Sequence, residues 1–308
     1  MKSASAVQIW SAAPTPLTPE LTVDAPSVRK MIRAAKADGI AGVFLAGTCG
    51  EGPWLPDWER NRLVAEAVKE SNGVVRIAVQ VTDNSVPRIL ENIRQVAAEG
   101  ADCAIVAPPP VFMNATPERV AAHFIEATDA SPLPSGIYDT GRHRPIAIAE
   151  DRLMEIYLRP KVVLVKDSSG SPSRREAALA ARRAKPGLAL FNGDEFKCLE
   201  YLQAGYDGCM FGGAAAIARP LARILALVAE GRLDEARVEE AEMKAVLYGI
   251  YGGENIACWL TGLKYYMVRR GLFASTASYL GYPLTGACRD FIEGHAEAGS
   301  GTGGQTSG

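Results

Sequence analysis

Short apolar runs alternate with longer amphipathic segments along most of the chain, from the N-terminus to about residue 230. A short apolar run that is bounded by glycine or polar residues is typical of a strand buried on both faces. The sequence contains eight such runs: VQIWSA (7–12), GVFLAG (42–47), VVRIAVQV (74–81), CAIVAP (103–108), SGIYDT (135–140), VVLVKD (162–167), LALFNG (188–193) and GCMFGG (208–213). We therefore predict eight strands.

The segments between these runs repeat apolar residues at helical spacing. Clear examples are residues 27–39, 57–71, 85–100 and 116–129. In the last of them, Thr116 and Pro117 give an N-terminal cap followed by proline at the first helical position. Glycine closes two of the others, at Gly39 and Gly100, as it commonly does after a helix.

Strands that alternate with helices predict a parallel sheet. Eight such units within about 230 residues fit a closed (β/α)8 TIM barrel of the α/β class. A doubly wound open sheet is the alternative, but no glycine-rich turn follows the first predicted strand. The sequence therefore favours the barrel.

The strand pattern stops after residue 230, and two further helices are predicted within residues 233–252 and 254–271. The chain ends in EAGSGTGGQTSG, a composition that is typical of a flexible segment. We therefore predict three parts: a catalytic barrel over residues 1–230, a C-terminal helical segment over 231–295 and a flexible tail over 296–308.

The overall composition narrows the choice of partners and of compartment. The formal net charge is −2, so neither nucleic acid nor a membrane surface is indicated as a partner. No apolar run approaches the roughly 18 residues of a membrane-spanning helix, and the N-terminus lacks the apolar core of a secretory signal. The six cysteines form no C-x-x-C pair, which favours a reduced, cytoplasmic protein. The three histidines are far apart, so we predict no metal site.

A (β/α)8 barrel places its active site at the C-terminal ends of the strands. The predicted strand at 162–167 has Lys166 at its C-terminal end, and none of the other predicted strands has a lysine at that end. The simple interpretation is that this strand reaches solvent there. The alternative is a nucleophile at the mouth of a pocket. Burial disfavours the charged form of a lysine, and a neutral amine attacks a ketone to form a Schiff base.

Three other strand ends carry groups that this chemistry requires. Tyr138 is placed to act as a general acid and base beside the imine. The turn GTCGEG offers the Thr48 hydroxyl and backbone N–H groups to a substrate carboxylate. Gly193, in NGDE, completes the set at a fourth strand end. The structural alternatives are a packed tyrosine at Tyr138 and a helix cap at Thr48.

Two further groups of residues have open roles. Cys49 follows Thr48 and is interpreted as a small turn residue in the substrate-binding loop rather than as a nucleophile. After the fifth predicted strand, YDTGRHR brings Arg142, His143 and Arg144 to the same end of the barrel. We interpret Arg142 and His143 as substrate contacts, although which of the three residues touches the substrate stays open. Solvated loop charges are the alternative for Arg142 and Arg144.

Taken in order, GTCGE, a tyrosine on the fifth strand, KDSSG and NGDE resemble the dihydrodipicolinate synthase/N-acetylneuraminate lyase family. The resemblance covers roughly residues 7–294. It implies a barrel with a C-terminal helical bundle, usually a homotetramer, acting on pyruvate or another small 2-keto acid. By position it implies the Schiff base on Lys166 and the catalytic tyrosine at Tyr138. It implies carboxylate binding by Thr48 and Cys49 and a backbone contact at Gly193. No cofactor is implied besides the covalent imine.

The sequence also departs from the synthases of this family. Cys49 replaces a second hydroxyl residue, and a thiol is a weaker donor. Phe112 is the nearest aromatic residue where the synthases have a tyrosine. His143, between Arg142 and Arg144, stands where they have a substrate-binding arginine. The resemblance therefore leans toward the sugar-acid branch.

We expect a metal-independent lyase, aldolase or dehydratase for a 2-keto-3-deoxy sugar acid, with pyruvate as product or donor. One alternative is a 4-hydroxy-tetrahydrodipicolinate synthase that condenses pyruvate with aspartate semialdehyde. The other is a non-catalytic member of the family that binds a keto acid.

Overall fold

The computed structural model describes residues 7–109, 115–141 and 148–300, with side chains described up to residue 295. Eight parallel strands close into a barrel in sequence order, with β8 pairing back to β1. The strands are β1 Gln8–Ser11, β2 Gly42–Leu45, β3 Arg76–Gln80, β4 Cys103–Val106, β5 Ser135–Asp139, β6 Val162–Asp167, β7 Ala189–Asn192 and β8 Gly208–Phe211. All eight predicted strands and the TIM barrel are confirmed.

Helices follow the strands and surround the barrel. Up to the eighth strand they are α1 Ala25–Ala37, α2 Asp57–Ser71, α3 Val86–Ala98, α4 Pro117–Ala130, α5 Glu150–Tyr157, α6 Pro172–Ala184 and α7 Cys198–Gln203, and α8 Ala214–Ala229 comes after it. The Thr116 hydroxyl accepts a hydrogen bond from the Arg119 N–H at 3.2 Å, so α4 has the cap that the sequence predicted. The apolar faces of these helices pack on the outside of the barrel and form the main core.

Large side chains fill the inside of the barrel. Trp10, Phe44, Ile105, Leu164 and Met210 are all buried there. The interior is therefore a packed core rather than a channel. Open space for chemistry is left at the ends of the strands.

Up to residue 300, three helices follow the barrel: α9 Leu233–Tyr251, α10 Trp259–Arg269 and α11 Gly286–Ser300. The first two match the predicted helices, whereas α11 was missed as a separate helix. Ile292 of α11 is fully buried, and the Tyr265 hydroxyl on α10 donates to Glu293 at 2.7 Å. Tertiary packing thus holds a helix that contains three glycines. It continues beyond residue 295, where the sequence predicted the tail to begin.

Within the described part of the chain, no helix is both long enough and apolar enough to cross a membrane.

Candidate active site

Lys166 and Tyr138 face each other at the C-terminal ends of β6 and β5. The two residues are register partners in the parallel pair. Only 5% of Lys166 and 8% of Tyr138 is exposed to solvent. The Lys166 Nζ lies 4.4 Å from the centre of the Tyr138 ring and 5.0 Å from the centre of the Phe44 ring. The lysine therefore ends in an aromatic pocket, not in solvent.

The Lys166 amine has no hydrogen-bond or ion-pair partner among the residues that the structure describes. A buried lysine is normally paired with a carboxylate, because an isolated buried charge is costly. This amine instead meets the faces of two aromatic rings. Such an environment tolerates a cation through the ring quadrupole and leaves the nitrogen free to react.

Gly193 makes room for this lysine. A Cβ atom at position 193 would lie 2.8 Å from Lys166 Cε and would also collide with Ser168 Oγ. The Gly193 N–H donates to the carbonyl of Asp167 at 2.7 Å, which ties β7 to the end of β6. The structure thus places Gly193 beside Lys166, where the absence of a side chain leaves room for the lysine.

Thr48 and Cys49 lie in a tight loop after β2. The loop closes through a hydrogen bond from the Gly52 N–H to the Gly47 carbonyl at 3.1 Å. A Cβ at Gly52 would collide with the carbonyl of Ala46, so only glycine fits there. Thr48 is half-buried at the tip of this turn.

Glu51 anchors the same loop to the C-terminal helices. Its carboxylate pairs with Lys264 of α10, and both side chains are completely buried. The Ser278 hydroxyl and the Tyr279 N–H also donate to Glu51, at 2.8 and 2.7 Å. Burial lowers the pKa of Lys264, and the charge of Glu51 acts in the opposite direction. Three donors from a distant part of the chain, on Lys264, Ser278 and Tyr279, therefore fix the loop through Glu51.

Cys49 is buried inside the loop. Burial raises the pKa of its thiol to about 12, with a further contribution from the charge of Glu195 and an opposing one from Lys166. The thiol is protonated at neutral pH, which agrees with its interpretation as a small turn residue.

Sequence reasoning missed a carboxylate beside the pocket. Glu195 accepts a hydrogen bond from the Tyr251 hydroxyl at 2.6 Å and another from the Gly213 N–H at 2.9 Å. Burial raises the pKa of Glu195, while these two hydrogen bonds and the charge of Lys166 lower it. NGDE was recognised for its glycine only, and Tyr251 comes from α9, too far along the chain for a local motif.

Two aspartates follow the candidate catalytic residues directly and hold the strand ends. Asp139 binds the guanidinium of Arg174 through both oxygens and accepts from the Tyr157 hydroxyl at 3.0 Å. Asp167 accepts from the Tyr206 hydroxyl at 2.8 Å. These two buried aspartates were also not predicted from the sequence. Their hydrogen bonds hold the ends of β5 and β6, next to Tyr138 and Lys166.

Arg142, His143 and Phe112 lie outside the described residues, as does Arg144. Their predicted roles stay predictions.

A TIM barrel with this lysine and tyrosine at adjacent strand ends defines a class of enzyme: a lyase of the class I aldolase type, which works through a lysine Schiff base. The chain matches the Dihydrodipicolinate synthetase family over residues 5–287 and belongs to it. The family resemblance seen in the motifs is confirmed.

Curated relatives agree with this assignment, and a solved structure shares the fold. The chain is 30% identical to a 4-hydroxy-tetrahydrodipicolinate synthase of Gluconobacter oxydans, across 72% of this chain and 74% of that protein. It is 26% identical to a synthase of the same name from Stenotrophomonas maltophilia, across 71% and 73%. Its fold is similar to that of CdNal from Clostridium difficile, solved in complex with mannosamine. The TM-score is 0.84 at 16% identity, covering 94% and 98% of the two chains.

Proposed function

We propose that this protein cleaves or dehydrates a 2-keto-3-deoxy sugar acid, or a related hydroxy keto acid, through an imine on Lys166. The observation that carries the proposal is the placement of the Lys166 amine. It is buried 4.4 Å from the Tyr138 ring centre and has no acidic partner among the described residues. An unpaired buried amine at the catalytic end of a barrel supports a nucleophile rather than a structural lysine.

The first step joins the Lys166 nitrogen to the ketone carbon, and loss of water gives a protonated imine. The rings of Phe44 and Tyr138 face this nitrogen and stabilise its positive charge. The Thr48 hydroxyl and backbone N–H groups of the loop with Cys49 receive the substrate carboxylate.

In the cleavage reaction, the Tyr138 hydroxyl relays the proton from the hydroxyl on C4 of the substrate. The C3–C4 bond breaks, and its electron pair moves into the imine to form an enamine while an aldehyde leaves. Protonation at C3 and hydrolysis by water then release pyruvate and the free amine. In dehydration, loss of a proton from C3 and of the C4 hydroxyl as water replaces the C–C cleavage.

Polar atoms just after the ends of β5 and β6 support a substrate that carries several hydroxyl groups. The hydroxyl oxygens of Ser168 and Thr140 are buried without a hydrogen-bond partner among the described residues. The Glu195 carboxylate is close enough for its charge to act on Cys49 near Lys166. A sugar acid supplies hydroxyl groups for such donors and acceptors.

The alternative is the synthase reaction, and the names of the curated relatives favour it. We favour the sugar acid because Phe112 cannot relay a proton as a tyrosine would, and because the arginine motif is replaced by residues 142–144. We propose no cofactor besides the imine. The homotetramer stays an expectation from the resemblance.

A substrate comparison tests the proposal. Purified protein is assayed with a panel of 2-keto-3-deoxy sugar acids, by pyruvate release and by loss of the substrate hydroxyl. In parallel it is assayed with pyruvate plus aspartate semialdehyde. We expect the best sugar acid to exceed the synthase reaction at least tenfold in kcat/KM. Comparable rates would favour the synthase, and no turnover of any substrate would favour a keto-acid-binding protein.

A further inference from the structure

Outside the active site, a cavity of about 430 Å³ opens between α8 and α10, with α11 and the end of α1 at its edge. We call it the α8–α10 cavity. Its charged and aromatic lining consists of Arg219, Arg269, Arg270, Asp38, Tyr266 and His295. The volume is within the range of small-molecule sites, about 300–1,000 Å³.

The charge in this cavity is unbalanced. Arg219, Arg269 and Arg270 form no ion pair and no side-chain hydrogen bond with any described residue. One carboxylate, Asp38, stands against these three guanidinium groups in the lining. Arginines nearby behave differently: Arg223, one turn further along α8, pairs with Glu239 of α9 at 2.8 Å. The described lining of the cavity therefore carries more positive than negative side-chain charge.

An aromatic wall accompanies the arginines. Tyr266 is 95% buried, and the Arg270 guanidinium lies 5.9 Å from the centre of its ring. The His295 ring is 6.2 Å from Tyr266 and is stacked on Phe291 at 5.7 Å. Packing thus holds two rings in the lining of a basic cavity, and aromatic rings are suited to contact the organic part of a ligand.

We propose that the α8–α10 cavity binds a small organic phosphate. Guanidinium groups bind phosphate oxygens in a bidentate fork, and three of them match a group that carries two negative charges. The rings of Tyr266 and His295 provide an apolar contact for the carbon skeleton. The proposal concerns a second site and does not depend on the reaction at Lys166.

Calorimetric titration of the full chain with sodium pyrophosphate tests the site, with citrate as a polycarboxylate of similar charge. We expect saturable pyrophosphate binding that weakens as NaCl is raised from low to physiological concentration. The double variant Arg269→Gln/Arg270→Gln should raise Kd at least tenfold, and Arg219→Gln should also weaken binding. Arg289→Gln is the matched control, because Arg289 is an exposed arginine of α11 outside the cavity lining. This control should bind as the unchanged protein does.

Three results would overturn the proposal. The first is the absence of saturable binding at millimolar pyrophosphate, as expected if the arginines are only solvated surface charges. The second is binding that Thr48→Val weakens and the arginine variants leave unchanged, because the anion then occupies the active site. The third is tighter binding of citrate than of pyrophosphate, which assigns the cavity to polycarboxylates. Circular dichroism and Tm confirm that each variant is folded.

Discussion

Lys166 and Lys264 are the two buried lysines of the described residues, and their surroundings are opposite. Lys264 is paired with Glu51 and also donates to the carbonyl of Ala277 at 2.6 Å. Lys166 has two aromatic rings in place of a carboxylate. Burial alone therefore does not indicate a reactive amine. A paired lysine holds two segments together, whereas an unpaired lysine at a strand end is available for covalent chemistry.

The largest expected effect is on covalent reactivity, in which Lys166 and Lys264 should differ. Borohydride reduction in the presence of pyruvate should add one pyruvate-derived unit per chain, which mass spectrometry locates on the peptide that contains Lys166. Lys166→Ala and Lys166→Arg should abolish the adduct and lower kcat by at least about 10⁴-fold, as loss of a covalent nucleophile does. Lys69→Ala, at an exposed position of α2, is the control and should keep both. An adduct on Lys264 would show that the paired lysine, and not Lys166, is the nucleophile.

The next effect tests the partner of the reactive lysine. Tyr138→Phe should lower kcat by about 10²–10⁴-fold, because a general acid and base is removed. The ring that packs on Phe44 and Lys166 is retained, so Tm should change little. Tyr282→Phe removes an exposed hydroxyl and is the matched control. Near-normal turnover in Tyr138→Phe would make this tyrosine a packing residue.

Replacement of the paired lysine, Lys264, should lower the stability of the fold. Lys264→Met leaves the carboxylate of Glu51 buried without its counter-charge, and we expect the free energy of unfolding to fall by about 3–5 kcal/mol. The double variant Glu51→Gln/Lys264→Met should recover a large part of this loss, because no charge is then left buried. Urea unfolding measures both, with Lys69→Met as control. A loss below about 1 kcal/mol in the single variant would show that the pair is not a stabilising link.

The smallest effect concerns Cys49, which is close enough for the charges of both lysines to act on it. Because its pKa is raised to about 12, the thiolate fraction at pH 8 is about 10⁻⁴. Iodoacetamide should not inactivate the folded protein at this pH, and reactivity should rise only as the pH approaches 12. Cys49→Ser should change kcat/KM by less than about threefold. Rapid inactivation at pH 8 that Cys49→Ser prevents would contradict the interpretation.

Features that depend on the local pattern of apolar residues were predicted correctly from the sequence. Each of the eight strands was visible as an apolar run, and the position of Lys166 at a strand end followed from the same pattern. The pairing of Glu51 with Lys264 joins residues 213 positions apart, and that of Glu195 with Tyr251 spans 56. Periodicity shows which side of an element is buried, but it does not show which distant side chain lies opposite. For that reason the pair of Glu51 with Lys264 and the Glu195 carboxylate were not predicted from the sequence.

The same reason explains α11. Its sequence contains several glycines and few apolar residues, so it predicts a helix only weakly. Contacts with α9 and α10 stabilise the helix in the folded protein. Roles that rest on Cys49 and Gly193 remain predictions, although Gly193 lies beside Lys166 and Cys49 is close enough for the charge of Lys166 to act on its thiol. Arg142 and His143 remain open in the same way.

The link between Glu51 and Lys264 also bears on how the protein is made. The barrel strands are complete at Phe211, but the partners of Glu51 come from residues 264–279. During synthesis the N-terminal part of a chain leaves the ribosome and begins to fold first. The loop that carries Thr48 is therefore among the earliest parts to emerge, yet it gains its anchor only after α10 has been translated. A nascent chain that stops before α10 has all eight strands but lacks the partners of Glu51, so the loop that we propose to bind the substrate carboxylate gains its anchor only late in translation.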